Sequence, residues 1–144
     1  MFPSQPGTFY FVNRILTWMK RQKQRLWVMV PFWDSVGVAM INECTAEDIR
    51  IICRPGELQK YLRKELPQRF NKDLHTKLIV GDSASLMGSF NMTYQSMFDN
   101  LEQATFSRSQ QYPEHFLSEW EKLSKELDLQ SSKTDGFGRL RLEG

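Results

Sequence analysis

Histidine and cysteine are scarce in this 144-residue chain, at two of each. Cys44 and Cys53 bracket TAEDIRII, a spacing that makes neither a disulfide framework nor a metal-binding cluster. They read as reduced core or near-core residues. Long apolar runs are also missing, and none reaches the roughly 18 residues that a membrane-spanning helix needs. The N-terminus, MFPSQPGTFYF, has no basic start followed by an apolar block, so it does not read as a secretory leader. Together these absences imply a soluble cytoplasmic protein without a membrane anchor. A strong net charge is lacking too: at +2 the whole chain does not announce a nucleic-acid binder. There is no internal repeat. With 40% apolar and 25% charged residues the chain is neither disordered nor fibrous. Its length suits one domain around a single core.

The distribution of charge says more than its sum. Between Arg14 and Arg25 lie five bases (Arg14, Lys20, Arg21, Lys23, Arg25) and no acid, whereas from Asp99 to Asp128 seven acids face three bases. Either part of the surface is positive, or these are ordinary solvated helix faces.

Val12, Ile15, Leu16 and Met19 recur at helical spacing and predict a helix over 12–23, after a flexible arm at 1–11. LWVMVPF (26–32) reads as a strand buried on both faces. DSVGVAMINEC reads as a helix capped by Asp34 or Ser35, with Val36, Ala39 and Met40 inward; Gly37 weakens that reading. A second strand is expected at 48–54. A helix should open at Pro55, with Leu58, Tyr61, Leu62 and Leu66 on one face, and stop at Pro67. DLHTKLIV (73–80) and SLMGS read as two strands joined by a turn at Gly81-Asp82-Ser83-Ala84. A helix over MTYQSMF, a strand at 100–107 and a long helix from Pro113 follow, the last with Phe116, Leu117, Trp120, Leu123 and Leu127 on one face. Residues 130–144 read as a disordered tail. The expected fold is α/β: one domain over 12–129, a mixed β-sheet flanked by helices on both faces.

The stretch LHTKLIVGDSASLMGSFNMT (74–93) carries the chemistry. In a strand, residues two apart share a face, so His75 and Lys77 would lie side by side. That makes a costly core unless the strand end opens into a cleft or an anion balances the lysine. A phosphate meets both conditions. Gly88 lets the backbone approach a ligand, and the Ser89 hydroxyl and Asn91 amide can bond phosphate oxygens.

This pattern resembles the HKD signature of the phospholipase D superfamily: His75-x-Lys77, four residues, Asp82, then Gly88-Ser89-x-Asn91. VMVPFWDSVG and DIRIICR resemble the family's strands, and Asn100-x-Glu102 its Asn-x-Glu element. The resemblance covers roughly residues 12–128 and is nearest to the small single-motif nucleases. One spacing departs from it, with five residues between Asp82 and Gly88 where the family usually has one more. The resemblance implies a phospholipase D-like fold and a hydrolase of phosphodiester bonds that needs no metal or cofactor. A histidine attacks phosphorus to form a covalent phosphohistidine, and a second histidine protonates the leaving oxygen. It implies His75 as nucleophile and Lys77, Ser89 and Asn91 on the phosphate. Glu102 would support the imidazole ring, and Asp82 would orient neighbours within the catalytic set. His115, in QQYPEHF, has no lysine partner and reads as a surface or capping residue. A complete site therefore calls for a second chain, a homodimer in which a two-fold axis brings both copies of His75 to one pocket.

The function expected is a nuclease with nucleic acid as substrate. A phospholipase D-type lipid phosphodiesterase, a catalytically silent binding or scaffold module, and a piece of a larger assembly with its second motif elsewhere are the alternatives.

Overall fold

The computed structural model describes residues 8–56, 61–63, 65–100 and 102–134. Six strands, β1 (Arg25–Met29), β2 (Asp48–Cys53), β3 (Gln68–Phe70), β4 (Leu78–Val80), β5 (Ser85–Gly88) and β6 (Ala104–Ser107), form one sheet in the order β3-β2-β1-β4-β5-β6. The first three are parallel, and β4, β5 and β6 each run antiparallel to the strand before them in that order. Helices α1 (Thr8–Arg21), α2 (Ser35–Asn42) and α3 (Gln111–Thr134) and a short widened turn at Gln95–Asp99 complete the described elements. This is the mixed sheet with helices on both faces that the alternating pattern predicts.

Register explains why β1 is apolar from Leu26 to Met29. Ile51, Val28, Ile79, Leu86 and Phe106 form one row across the sheet. The first four of these are buried with Val12, Ile15, Leu16 and Met19 of α1 and with α2. The neighbouring row, Ile52, Met29, Leu78 and Met87, faces the other way. There it packs with Phe116, Trp120 and Leu123 of α3. A strand with a helix on each side has no solvent face, so strict alternation of polarity disappears.

Several boundaries differ from expectation. α1 begins at Thr8 rather than 12, because Phe11 extends its apolar face onto the core and lies 6.4 Å from the ring of Phe90. α3 starts two residues before Pro113 and continues to Thr134, into the segment expected as tail. Residues 1–7 and 135–144, the rest of the expected arm and tail, lie outside the described residues. Of the helix expected over 55–66, residues 57–60 and 64 lie outside the described residues, and the described remainder is not α-helix, with Leu62 and Leu66 buried and Tyr61 exposed. β3 was not anticipated. In α2, Ala39 is exposed whereas Gly37, Val38, Met40 and Ile41 are buried. The glycine belongs there for a packing reason: a Cβ at position 37 would stand 2.1 Å from the carbonyl oxygen of Met92. Leu117, expected inward on α3, is exposed. Trp33 is buried and its indole N–H donates to the Val30 carbonyl, so it is a core residue.

Both cysteines are buried. Burial pushes the Cys44 thiol up to about 12, outweighing the opposing Arg63 charge.

Candidate active site

The strand containing the motif is shorter than its sequence implies. β4 begins at Leu78, so His75, Thr76 and Lys77 form an extended lead-in outside the ladder, and His75 is exposed rather than buried. Its position follows from the sheet. β4 is antiparallel to β1, so its start lies at the carboxyl ends of β1 and β2, the edge where open α/β sheets place their ligands. β5 ends at the same edge, where the Gly88 N–H reaches the Lys77 carbonyl at 3.4 Å.

Around His75 the side chains are set closely. The Lys77 ammonium donates to the His75 carbonyl at 3.0 Å. Arg54, directly after β2, donates through Nε to the Leu74 carbonyl at 2.8 Å. One terminal nitrogen of Arg54 stands 3.2 Å from His75 Nδ1 and 3.4 Å from Nε2. A nitrogen nearly equidistant from both lies over the ring face, since an in-plane position would collide with the carbon between them. The guanidinium thus holds the imidazole from within hydrogen-bond distance of both ring nitrogens. Its carbon also lies 4.8 Å from the ring centre of the exposed Phe32. The sequence reading missed Arg54; the signal available was its place at the carboxyl end of an apolar strand.

Glu102 forms a second group. Its Oε1 accepts from the Ser89 hydroxyl at 2.7 Å and its Oε2 from the Asn100 amide at 3.0 Å. Partial burial alone would raise its pKa. The bonds from Ser89, Asn100 and Ser96 and the Lys77 charge outweigh burial and hold the carboxyl below the usual range. The Ser89 oxygen also accepts from the Gln103 N–H at 3.0 Å. Having one proton, already given to Glu102, Ser89 positions the carboxylate in this state instead of donating to a phosphate. Within this chain the Glu102 oxygens bond Ser89 and Asn100, not the His75 ring. Gly88 is what lets the two segments meet, because a Cβ there would lie 2.0 Å from the Gln103 carbonyl oxygen.

Asn91 is half-buried at the same edge. Its N–H donates to Ser96 Oγ at 2.8 Å, and its side-chain oxygen is buried without a hydrogen-bond partner among the described residues. Ser96 belongs to the widened turn, where the Asn100 N–H bonds the Gln95 carbonyl five residues back at 2.7 Å. Such turns are frequent at functional sites.

Asp82 does not join this cluster. It follows the far end of β4, roughly 15 Å along the strand from Lys77. Its carboxylate accepts the backbone N–H groups of Lys23, Gln24 and Arg25 at 2.8, 2.9 and 3.0 Å. Burial opposes ionisation, but these three bonds and the Arg25 charge lower its pKa overall. Asp82 is therefore a clamp between the β4–β5 hairpin and the start of β1, away from the His75 edge. His115 is exposed on α3.

No family model and no curated protein sequence matches this chain. Solved structures do resemble it. Nuc from Salmonella typhimurium, a phospholipase D family member, is 21% identical with a TM-score of 0.59, over 78% of this chain and 86% of that one. NucT from Helicobacter pylori is 15% identical with a TM-score of 0.62, over 84% and 89%. TrmBL2, an archaeal chromatin protein whose structure shows a novel mode of DNA binding, is 10% identical with a TM-score of 0.54, over 81% of this chain and 50% of that one. No helix among the described residues is long and apolar enough to cross a membrane. With its sheet order, its two helical layers and the edge that holds His75, this chain has the phospholipase D-like fold.

Proposed function

We propose that the chain is a phosphodiesterase of the phospholipase D superfamily, acting on nucleic acid without a metal and as a homodimer with one shared site. The observation that carries the reading is the exposed His75 imidazole, held within hydrogen-bond distance of Arg54, with Lys77 bonded to its carbonyl and acting on an ionised Glu102.

In this reading the neutral ring of His75 attacks phosphorus, and the bond to the leaving oxygen breaks as that oxygen takes a proton from the partner's His75. Water then gives a proton to the partner's His75, now neutral, as it attacks the phosphohistidine, and the phosphorus–nitrogen bond breaks to release the phosphomonoester and the free imidazole. Lys77 and Asn91 hold the phosphoryl oxygens as charge accumulates. Glu102, ordered by Ser89 and Asn100, supplies the negative charge that supports an imidazolium ring. Nucleic acid is favoured over lipid by the acid-free basic run from Arg14 to Arg25 and by the resemblance to small single-motif nucleases.

The test is a panel of single- and double-stranded DNA, RNA, a phosphatidylcholine vesicle and an aryl phosphodiester, all in excess EDTA. Cleavage of the polynucleotides and the aryl diester is expected to persist with chelator and to vanish in His75→Ala. Loss of wild-type cleavage on adding EDTA would remove the metal-free step. Cleavage of the vesicle lipid alone would replace the nuclease reading, and an inert panel would favour the silent module.

A further inference from the structure

A large groove lies between α1 and β6, with a volume of about 1080 Å³. Its lining includes Asn100, Glu102 and Gln103, the segment bonded to Ser89, so the groove shares Glu102 with the site. Its floor is apolar, with Ile15, Leu86 and Ala104. Aromatic rings stand along it: Trp18 and Phe106 meet edge-on at 5.2 Å, and Phe106 is 56% exposed although it lies in the core-facing row of the sheet. A large ring left half-open on an edge strand, beside an indole, is a surface that lacks a cover.

Charge says what the cover is. Arg14 and Arg21 line the groove from α1 and both are exposed. The acids of the lining, Asp99 and Glu102, belong to the segment that meets the site, where Lys77 acts on Glu102. Away from that segment the groove is therefore aromatic and cationic. Bases stack on aromatic rings while arginines track phosphates, the combination that single strands require; a paired duplex keeps its base faces stacked inside.

We infer that the α1–β6 groove is a binding track for single-stranded polynucleotide, stacking bases on Phe106 and Trp18 and holding the backbone with Arg14 and Arg21. It rests on the phosphodiesterase reading for its direction toward His75, but not for its existence.

Binding is measured in the His75→Ala chain by fluorescence anisotropy of a labelled oligothymidylate of about 12 nucleotides, so that turnover plays no part. Phe106→Ser is expected to weaken binding roughly tenfold, with Phe106→Tyr restoring it. The exposed pair Arg14→Gln and Arg21→Gln, which no folding defect should complicate, is expected to lower the slope of log affinity against log salt by about 0.7 for each arginine. Unchanged affinity and slope in these variants would overturn the track. Equal loss on a hairpin duplex would overturn its preference for single strands. If Phe106→Ser turns a dimer into a monomer in light scattering, the groove belongs to a second copy and the inference falls. A failed substrate panel with intact strand binding would instead count against the proposed chemistry alone.

Discussion

Two carboxylates from one motif region have separate work. Asp82 serves three backbone N–H groups, so Asp82→Asn is expected to destabilise the chain by about 1–3 kcal/mol in chemical denaturation while leaving the His75 edge in place. The sign of its pH dependence follows from the lowered pKa. Its contribution is complete above the unfolded value of about 3.9 and fades as pH falls through the folded one. The wild-type advantage over Asp82→Asn should therefore shrink below about pH 4; an advantage that grew there would contradict the clamp. Gly88 is a different kind of residue. Gly88→Ala drives a methyl into the Gln103 carbonyl, so it should part Ser89 from Glu102 and lower kcat more than stability; an unaffected kcat would deny that the meeting matters. The motif made His75 and Lys77 legible from the sequence. It did not reveal that Ser89's proton is committed to Glu102, because one hydroxyl's choice of acceptor depends on a segment more than ten residues away.

At the scale of elements, Asp34 joins two pieces. Its Oδ1 caps α2 through the Val36 N–H at 2.9 Å, and its Oδ2 accepts the Tyr94 N–H at 2.8 Å, ahead of the widened turn. Asp34→Ala should cost about 1–2 kcal/mol and speed amide exchange over 92–99 as well as in α2; a loss confined to α2 would show that the turn is held by other means. The cap was readable, since an aspartate before an apolar helical pattern has a local cause. The turn at Gln95–Asp99 was read as ordinary helix, because one five-residue loop of hydrogen bonds leaves no periodicity. β3 was missed for a related reason: Gln68, Arg69 and Phe70 have no alternation of their own and become a strand by pairing with β2. The opposite error befell β4, where the alternation of His75 and Lys77 imitated a strand that the ladder does not extend to them.

For the whole molecule, the sheet and its two helical layers were legible because burial on each face leaves a signature in β1, α1 and α3. The number of chains at the site is legible only through the motif count, one where the resemblance calls for two. If two copies of His75 complete one pocket, mixing wild type with an equal amount of His75→Ala and allowing exchange should cut the wild-type activity to about half, as hybrids form around the two-fold axis. Activity unchanged after exchange, verified by mass-labelled subunits, would mean that each chain works alone. The buried cysteines make such experiments simpler. With Cys44 enclosed and its thiol pushed up to about 12, and Cys53 enclosed as well, neither presents a ready thiolate to a maleimide. A single cysteine placed on the outer surface of α1 or β6 would then take a fluorophore or spin label by itself, and distances between subunits could be measured without first stripping the native sulfur from the chain.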